Sequence, residues 1–197
     1  MVTTVKNIFE KDEYAVVKNY VDSVSWEYLD RTEHQKLPSG SGFSHSIWKE
    51  GEQTNWKHPN AWLMNLLYLK ISKHFKFVDF IRVKANMLLP REKDHRCPAH
   101  IDTNKEHWAG VIYLSTEKEG YGETVIYKQT VDMKTLKDPV DLVKEGKILK
   151  VDKLIPCIEN TAVFFNGATL HAATYPMNIK RRVVLNVDFT VDKKSKT

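Results

Sequence analysis

Residues 160–189 read NTAVFFNGATLHAATYPMNIKRRVVLNVDF. Two apolar runs, TAVFF at 161–165 and RRVVLNVDF at 181–189, are punctuated by Asn160, Gly167 and Pro176. Short runs rich in Val and Phe between such residues are strand signals. The segment ATLHAATYP between them reads as a loop entering the second strand. Upstream, FVDFIRVKANMLLP at 77–90, HWAGVIYLS at 107–115, ETVIYKQ at 123–129 and residues 151–158 carry the same signal. The turn EKEGYGE at 117–123 holds Gly120 and Gly122. Residues 130–150 mix both charges and predict an excursion with a short helix.

Further out the period changes. Tyr14, Val17, Tyr20, Val21 and Val24 recur every three or four residues within 11–29, as on an amphipathic helix. NAWLMNLLYLKISKHF at 60–75 repeats that pattern behind Pro59, a first-turn residue. KLPSGSGFSHS at 36–46 reads as a loop. The expectation is one domain, 1–197: a mostly helical support over 1–79, a β core over 80–190 and a tail at 191–197. Strands without an alternating helix disfavour a Rossmann or TIM arrangement and suggest a sandwich or jelly roll with helices on one face.

Composition narrows the function classes. Apolar residues at 42% and charged residues at 28% are ordinary for a globular chain and too apolar for a disordered one. Two cysteines cannot build a disulfide scaffold or a Cys-rich zinc site. No apolar run approaches the ~18 residues of a membrane span. MVTTVKNIFEKDEY lacks the apolar centre of a signal peptide. These readings predict a cytoplasmic protein without membrane contact. A net charge of +5 supports nucleic-acid binding only slightly.

Chemistry enters with His100-Ile101-Asp102. On a strand, residues two apart point to one side, so an imidazole and a carboxylate could meet one ion. The bland alternative is a surface pair at a strand end. A third ligand is needed downstream, and His171 is the only histidine beyond His107. Two histidines and one carboxylate on one face of a metal leave positions open, as in non-haem Fe(II) oxygenases. A 2-oxo acid could supply the electrons to split dioxygen, and its far carboxylate wants a guanidinium. Arg181 and Arg182 open the strand after His171. Alternation groups Arg182 with Val184, Asn186 and Asp188, the face suited to a wet cavity, so Arg182 is favoured.

At these residues the chain resembles the Fe(II)/2-oxoglutarate-dependent dioxygenases, above all small stand-alone prolyl 4-hydroxylase-like members of bacteria and phages. The resemblance runs over about residues 80–190, through His100-Ile101-Asp102, GVIYLS, GYGETVIY, NTAVFFNGATLHAATYP and RRVVLNVDF in that order. It implies a mainly β fold, the double-stranded β-helix of cupin-like jelly rolls. It implies His100, Asp102 and His171 as catalytic metal ligands, and Arg182 on the distal carboxylate of 2-oxoglutarate. Asn86 takes the place where relatives hold the other end of the cosubstrate, although Met87 and Leu88 stand where a Tyr is common. Tyr121 separates glycines that are adjacent in relatives. The implied cofactors are Fe(II), 2-oxoglutarate and dioxygen, with ascorbate as reductant. The implied reaction hydroxylates a C–H bond and releases succinate and carbon dioxide. The substrate is a small molecule or a peptidyl group; nucleic acid stays open because some relatives repair alkylated bases, and the oligomeric state is unspecified. Alternatives are a cupin-like metal enzyme that uses no 2-oxo acid and a non-catalytic β-helix binding module.

Other residues have plainer expectations. His95 and His107 read as surface groups and Cys97 as a packing residue. Trp62 reads as core, while Trp48 and Trp56 flank 49–55 as a candidate lid. The lysines at 134, 137, 144, 147, 150 and 153 alternate with acids as on a solvated face.

Overall fold

A computed structural model describes residues 1–29, 42–51, 58–91, 96–132 and 148–192. Ten strands and two helices run in the order β1 (Val2–Lys6), α1 (Lys11–Ser23), β2 (Glu27–Leu29), β3 (Gly42–Lys49), α2 (Ala61–Ile71), β4 (Phe77–Leu88), β5 (Trp108–Tyr113), β6 (Thr124–Thr130), β7 (Val151–Ile155), β8 (Thr161–Asn166), β9 (Thr169–Ala173) and β10 (Arg182–Val191). The major sheet has the order β1-β8-β5-β10-β4-β3-β2 and the minor sheet β7-β6-β9. Among the described residues every strand pairing is antiparallel. This is the jelly roll that the pattern of short strands predicts.

Alternation along β10 sorts its side chains between two cores. Val183, Leu185, Val187 and Phe189 enter a cluster with Val17 and Val21 of α1 and Leu63, Leu67 and Ile71 of α2. The helices therefore cover the outer face of the major sheet. Val184 points the other way, joining Val111, Tyr113, Val163 and Phe165 of the major sheet with Ile126 and Ile155 of the minor sheet. This second cluster lies between the two sheets, and its Val111 and Val184 border the pocket that holds the polar groups. At Gly110, where β5 passes Phe164, an added Cβ would lie 2.8 Å from the ring. Among the described residues no helix is long and apolar enough to cross a membrane.

The N-terminal region is less helical than its sequence suggests. β1 pairs with β8 at one edge of the major sheet, and β2 and β3 complete the other. Residues 42–46, read as loop, are strand because β3 gains its ladder from β4 and not from local propensity. Helix α1 stops at Ser23, and residues 27–29 pair with β3 instead of extending it. Trp62 is 38% exposed, edge-on to Tyr20, not in the core. Trp48 is buried against Phe80 and is therefore no part of a lid. Trp56, His95, the proposed helix within 133–147 and the tail beyond 192 lie outside the described residues.

Candidate functional site

The inward face of β10 presents Arg182, Val184, Asn186 and Asp188. The ladder sets Leu88, Asn86, Lys84 and Arg82 of β4 opposite them in that order. Directly paired residues share a face, so the register alone builds a polar strip between the sheets. Lys84, Asn86, Arg182 and Asn186 line one pocket with His100, Asp102 and His171.

His171 sits in the middle of β9, not in a loop. Its backbone exchanges two hydrogen bonds with that of His100, at 2.9 and 3.0 Å. His100-Ile101-Asp102 is not a continuous strand. His100 forms an isolated bridge to His171, and the chain bends at Asp102. Pro98, just before this bridge, has no N–H to give to a ladder. The two rings lie 4.5 Å apart, and Phe165 packs edge-on to His171.

One ligand atom from each of His100, Asp102 and His171 can be chosen such that all lie within 4.8 Å of one another. Backbone carbonyls fix the tautomers. His100 Nδ1 lies 3.0 Å from the Pro98 carbonyl and His171 Nδ1 3.2 Å from that of Thr169. A carbonyl only accepts, so each Nδ1 carries the proton and each Nε2 of a neutral ring offers a lone pair. His171 Nε2 stands 3.1 Å from Asp102 Oδ2. Two lone pairs at that distance need positive charge between or beside them: a proton, or a cation bound by all three groups. Burial, then the neighbouring His171, pushes His100 down to about 3. Burial also works against charge on His171, but the Asp102 carboxylate outweighs it and raises this imidazole above its ordinary range. Burial likewise opposes the Asp102 charge, and His171 with Arg82 holds that carboxyl well below its usual range. The donor set is thus two imidazole nitrogens and one anionic oxygen, which suits a borderline divalent ion such as Fe(II).

The two arginines separate cleanly. Arg181 points to the surface and pairs with Asp22 at 2.8 Å. Arg182 is 4% exposed. Its Nε donates to the Gly122 carbonyl at 2.6 Å and its Nη2 to Thr124 Oγ1 at 3.1 Å. The Tyr113 hydroxyl also donates to Thr124 Oγ1, at 2.6 Å. With both contacts arriving as donors, the Thr124 hydroxyl keeps its own proton to give. The Gly122 contact is made by the main-chain carbonyl and so does not depend on the Tyr121 side chain. Asn86 lines the same pocket on β4, beside Val184 of β10.

Some site residues escaped the sequence. Arg82 donates through Nη2 to Asp102 Oδ1 at 2.6 Å and through Nε to Asp188 Oδ2 at 2.9 Å, and its Nη2 lies 2.7 Å from that Asp188 oxygen in an ion pair. Asp188 is 1% exposed, and burial, then Asp102, pushes its carboxyl up to about 7 against the pull of Arg82. His107 is buried, not a surface group, and burial lowers its pKa. Its ring lies over Gly167, where a Cβ would meet ring atoms at 2.2 Å. The alternating polar residues of Arg82-Val83-Lys84-Ala85-Asn86 were the signal available for the first of these.

No family model and no curated protein matches the chain. Solved structures do. An oxidoreductase of the 2OG-Fe(II) oxygenase family from Burkholderia pseudomallei superposes with a TM-score of 0.64 at 14% identity, over 96% of this chain and 84% of that one. A Pseudomonas putida prolyl-4-hydroxylase superposes with a TM-score of 0.58 at 14% identity, over 95% of this chain and 91% of that one. HygX from Streptomyces hygroscopicus, solved with nickel and 2-oxoglutarate bound, gives 0.58 at 10% identity, over 98% and 83%. At these identities the likeness is one of fold.

Proposed function

We propose that the chain is an Fe(II)- and 2-oxoglutarate-dependent oxygenase that hydroxylates a C–H bond of a small molecule or peptidyl substrate. The observation that carries this reading is the convergence of His100, Asp102 and His171 in the same pocket as a buried arginine. A closed structural site has no use for that arginine. The fold shared with named 2OG-Fe(II) oxygenases supports the reading, and HygX adds a relative of this shape that holds nickel and 2-oxoglutarate.

In this reading His100 and His171 hold Fe(II) through Nε2, and Asp102 holds it through one carboxylate oxygen. When bound, the metal with 2-oxoglutarate and dioxygen supplies the oxidising power, released with succinate and carbon dioxide. Arg182 and the Thr124 hydroxyl take the distal carboxylate of 2-oxoglutarate, with Tyr113 and the Gly122 carbonyl fixing their direction. Asn86 contributes an amide from β4, the neighbouring strand of the same sheet. Phe165, edge-on to the His171 ring, restricts the orientation of that imidazole.

The test is succinate formation from 2-oxoglutarate by the Fe(II)-loaded protein in air with ascorbate, followed by proton NMR. Succinate above the Asp102→Ala background is expected even without substrate. A protein that binds iron in this pocket and forms none would instead be a metal enzyme of another kind.

A further inference from the structure

We propose that Arg82 is the positioning residue that confines Asp102 to one-oxygen ligation, and that Asp188 is its anchor. The inference rests on the metal site just proposed and concerns how that site keeps positions open.

The two oxygens of Asp102 have different neighbours. Oδ2 faces His171 Nε2 at 3.1 Å, on the side where the ligand atoms converge. Oδ1 receives Arg82 Nη2 at 2.6 Å. A free carboxylate can chelate a divalent ion through both oxygens, and ligation through both would break this short charge-assisted bond. A two-histidine, one-oxygen face leaves about three of six octahedral positions open. A chelating Asp102 would take one of them. A cosubstrate that binds through two atoms, followed by dioxygen, needs all that remain.

Arg82 is itself held. Its Nε and Nη2 both reach Asp188 Oδ2, and Arg82 and Asp188 are direct cross-strand partners in the β4–β10 ladder. Backbone register therefore sets the distance between guanidinium and anchor. The Asp188 side chain is 1% exposed and that of Arg82 25%, so solvent cannot easily replace either contact. Outer groups that orient a ligating carboxylate are a recurrent part of metal sites. Here that group comes from a strand carrying no ligand, tied to another strand carrying none.

The experiment counts waters on bound Mn(II) by water-proton relaxation, which needs no turnover. The informative variant pairs Arg82→Gln with Asp188→Asn, which leaves no charge at the anchor and leaves Asp102 to be answered by His171 and the bound Mn(II). Asp188→Asn alone still offers Arg82 an amide oxygen at the anchor position, so the Arg82–Asp102 contact stays and the variant serves as control. In the wild type and in the control, Mn(II) should retain three exchangeable waters. In the double variant at full occupancy one should be lost, lowering the inner-sphere relaxivity by about a third. 2-Oxoglutarate should then bind the Mn(II)-loaded double variant more weakly. If the double variant does not fold, Arg82→Lys, which cannot span both carboxylates as a fork, is expected to show the same loss. An unchanged water count in whichever variant folds overturns the role of Arg82, as does a wild type with only two waters. A wild type that binds no Mn(II) would refute the metal site itself, a distinguishable result.

Discussion

Arg182 and Arg181 are adjacent, identical in chemistry and opposite in environment, so replacing each in turn isolates the pocket. Arg182→Ala removes a buried guanidinium, leaving the Gly122 carbonyl without its donor and Thr124 Oγ1 with that of Tyr113 alone. Unpaired buried acceptors cost about 1–3 kcal/mol. For a chain of this length that lowers Tm by about 2–12 °C, at ~2–4 °C per kcal/mol. The loss in binding is larger. Truncating one partner of a desolvated charge pair costs about 2–5 kcal/mol. At ~1.4 kcal/mol per tenfold, 2-oxoglutarate should bind about 30- to 4,000-fold more weakly. Arg181→Ala breaks a pair whose side chains are 43% and 40% exposed. Such pairs contribute ~0–1 kcal/mol, and none of that loss falls on the ligand. Arg182→Lys should fall between, since it keeps the charge and loses the fork. Calorimetric titration of 2-oxoglutarate into Mn(II)-loaded protein reads affinity directly, with melting curves run in parallel. Equal weakening by the two alanine variants, or a greater effect at Arg181, would refute the assignment of the inward face of β10.

Asp102→Ala should abolish metal stabilisation without unfolding the chain. In the wild type, Mn(II) at about one hundred times its Kd should add ~2.7 kcal/mol, roughly 5–10 °C in Tm, and a variant that keeps this increment would remove Asp102 from the ligand set. Glu117 gives a pH-dependent prediction. Its carboxylate accepts backbone N–H groups from Lys118, Met177, Asn178 and Ile179, tying the 117–122 turn to the approach to β10. Burial opposes its charge, but these bonds hold its pKa below the ordinary range. The stabilisation is therefore full above the unfolded pKa of ~4.3 and is lost as pH falls through the lower folded value. Urea midpoints should show Glu117→Gln less stable by about 1–3 kcal/mol at neutral pH, with the gap closing in acid; a gap independent of pH would contradict this. Gly167→Ala places a methyl against the His107 ring and should destabilise by about 1–3 kcal/mol. Adding His107→Ala should recover part of the loss, and strict additivity in a double-mutant cycle would show that the two do not meet.

The strands of the β core were legible because each is a local event. VVLNVDF, TAVFF and WAGVIY carry β-branched and aromatic residues between turn residues, and each became a strand within a residue or two of its expected ends. The elements that were misread owe their conformation to partners far along the chain. TLHAA has little strand propensity of its own, and β9 exists because Ile126 of β6 pairs with His171. β3 looks like loop until β4 lies beside it. β1 is a different case, since VTTV is a β-branched run that carries a strand signal of its own. The grouping of Arg182 with Val184, Asn186 and Asp188, apart from Arg181, was readable from alternation alone, because an alternating strand has only two faces.

What alternation cannot supply is which face is wet. Arg82-Lys84-Asn86 on β4 and Arg182-Asn186-Asp188 on β10 look like the solvent side of a sheet whose other side is core. The apolar side is indeed core, packed on α1 and α2. The polar side is enclosed by the minor sheet, a fact set by contacts such as Arg182 to Thr124, 58 residues apart. Enclosure changes what the same residues must do. On a solvent face an Arg–Asp pair is optional and contributes little. Inside, an unpartnered carboxylate costs several kcal/mol, so each charge must be answered by another or by a ligand. Arg82 is answered by Asp102 and Asp188, and Arg182 by neutral acceptors only. A buried guanidinium with no anion of its own among the described residues is the group that an anionic cosubstrate completes. That imbalance, not the presence of an arginine, makes the dicarboxylate the expected ligand.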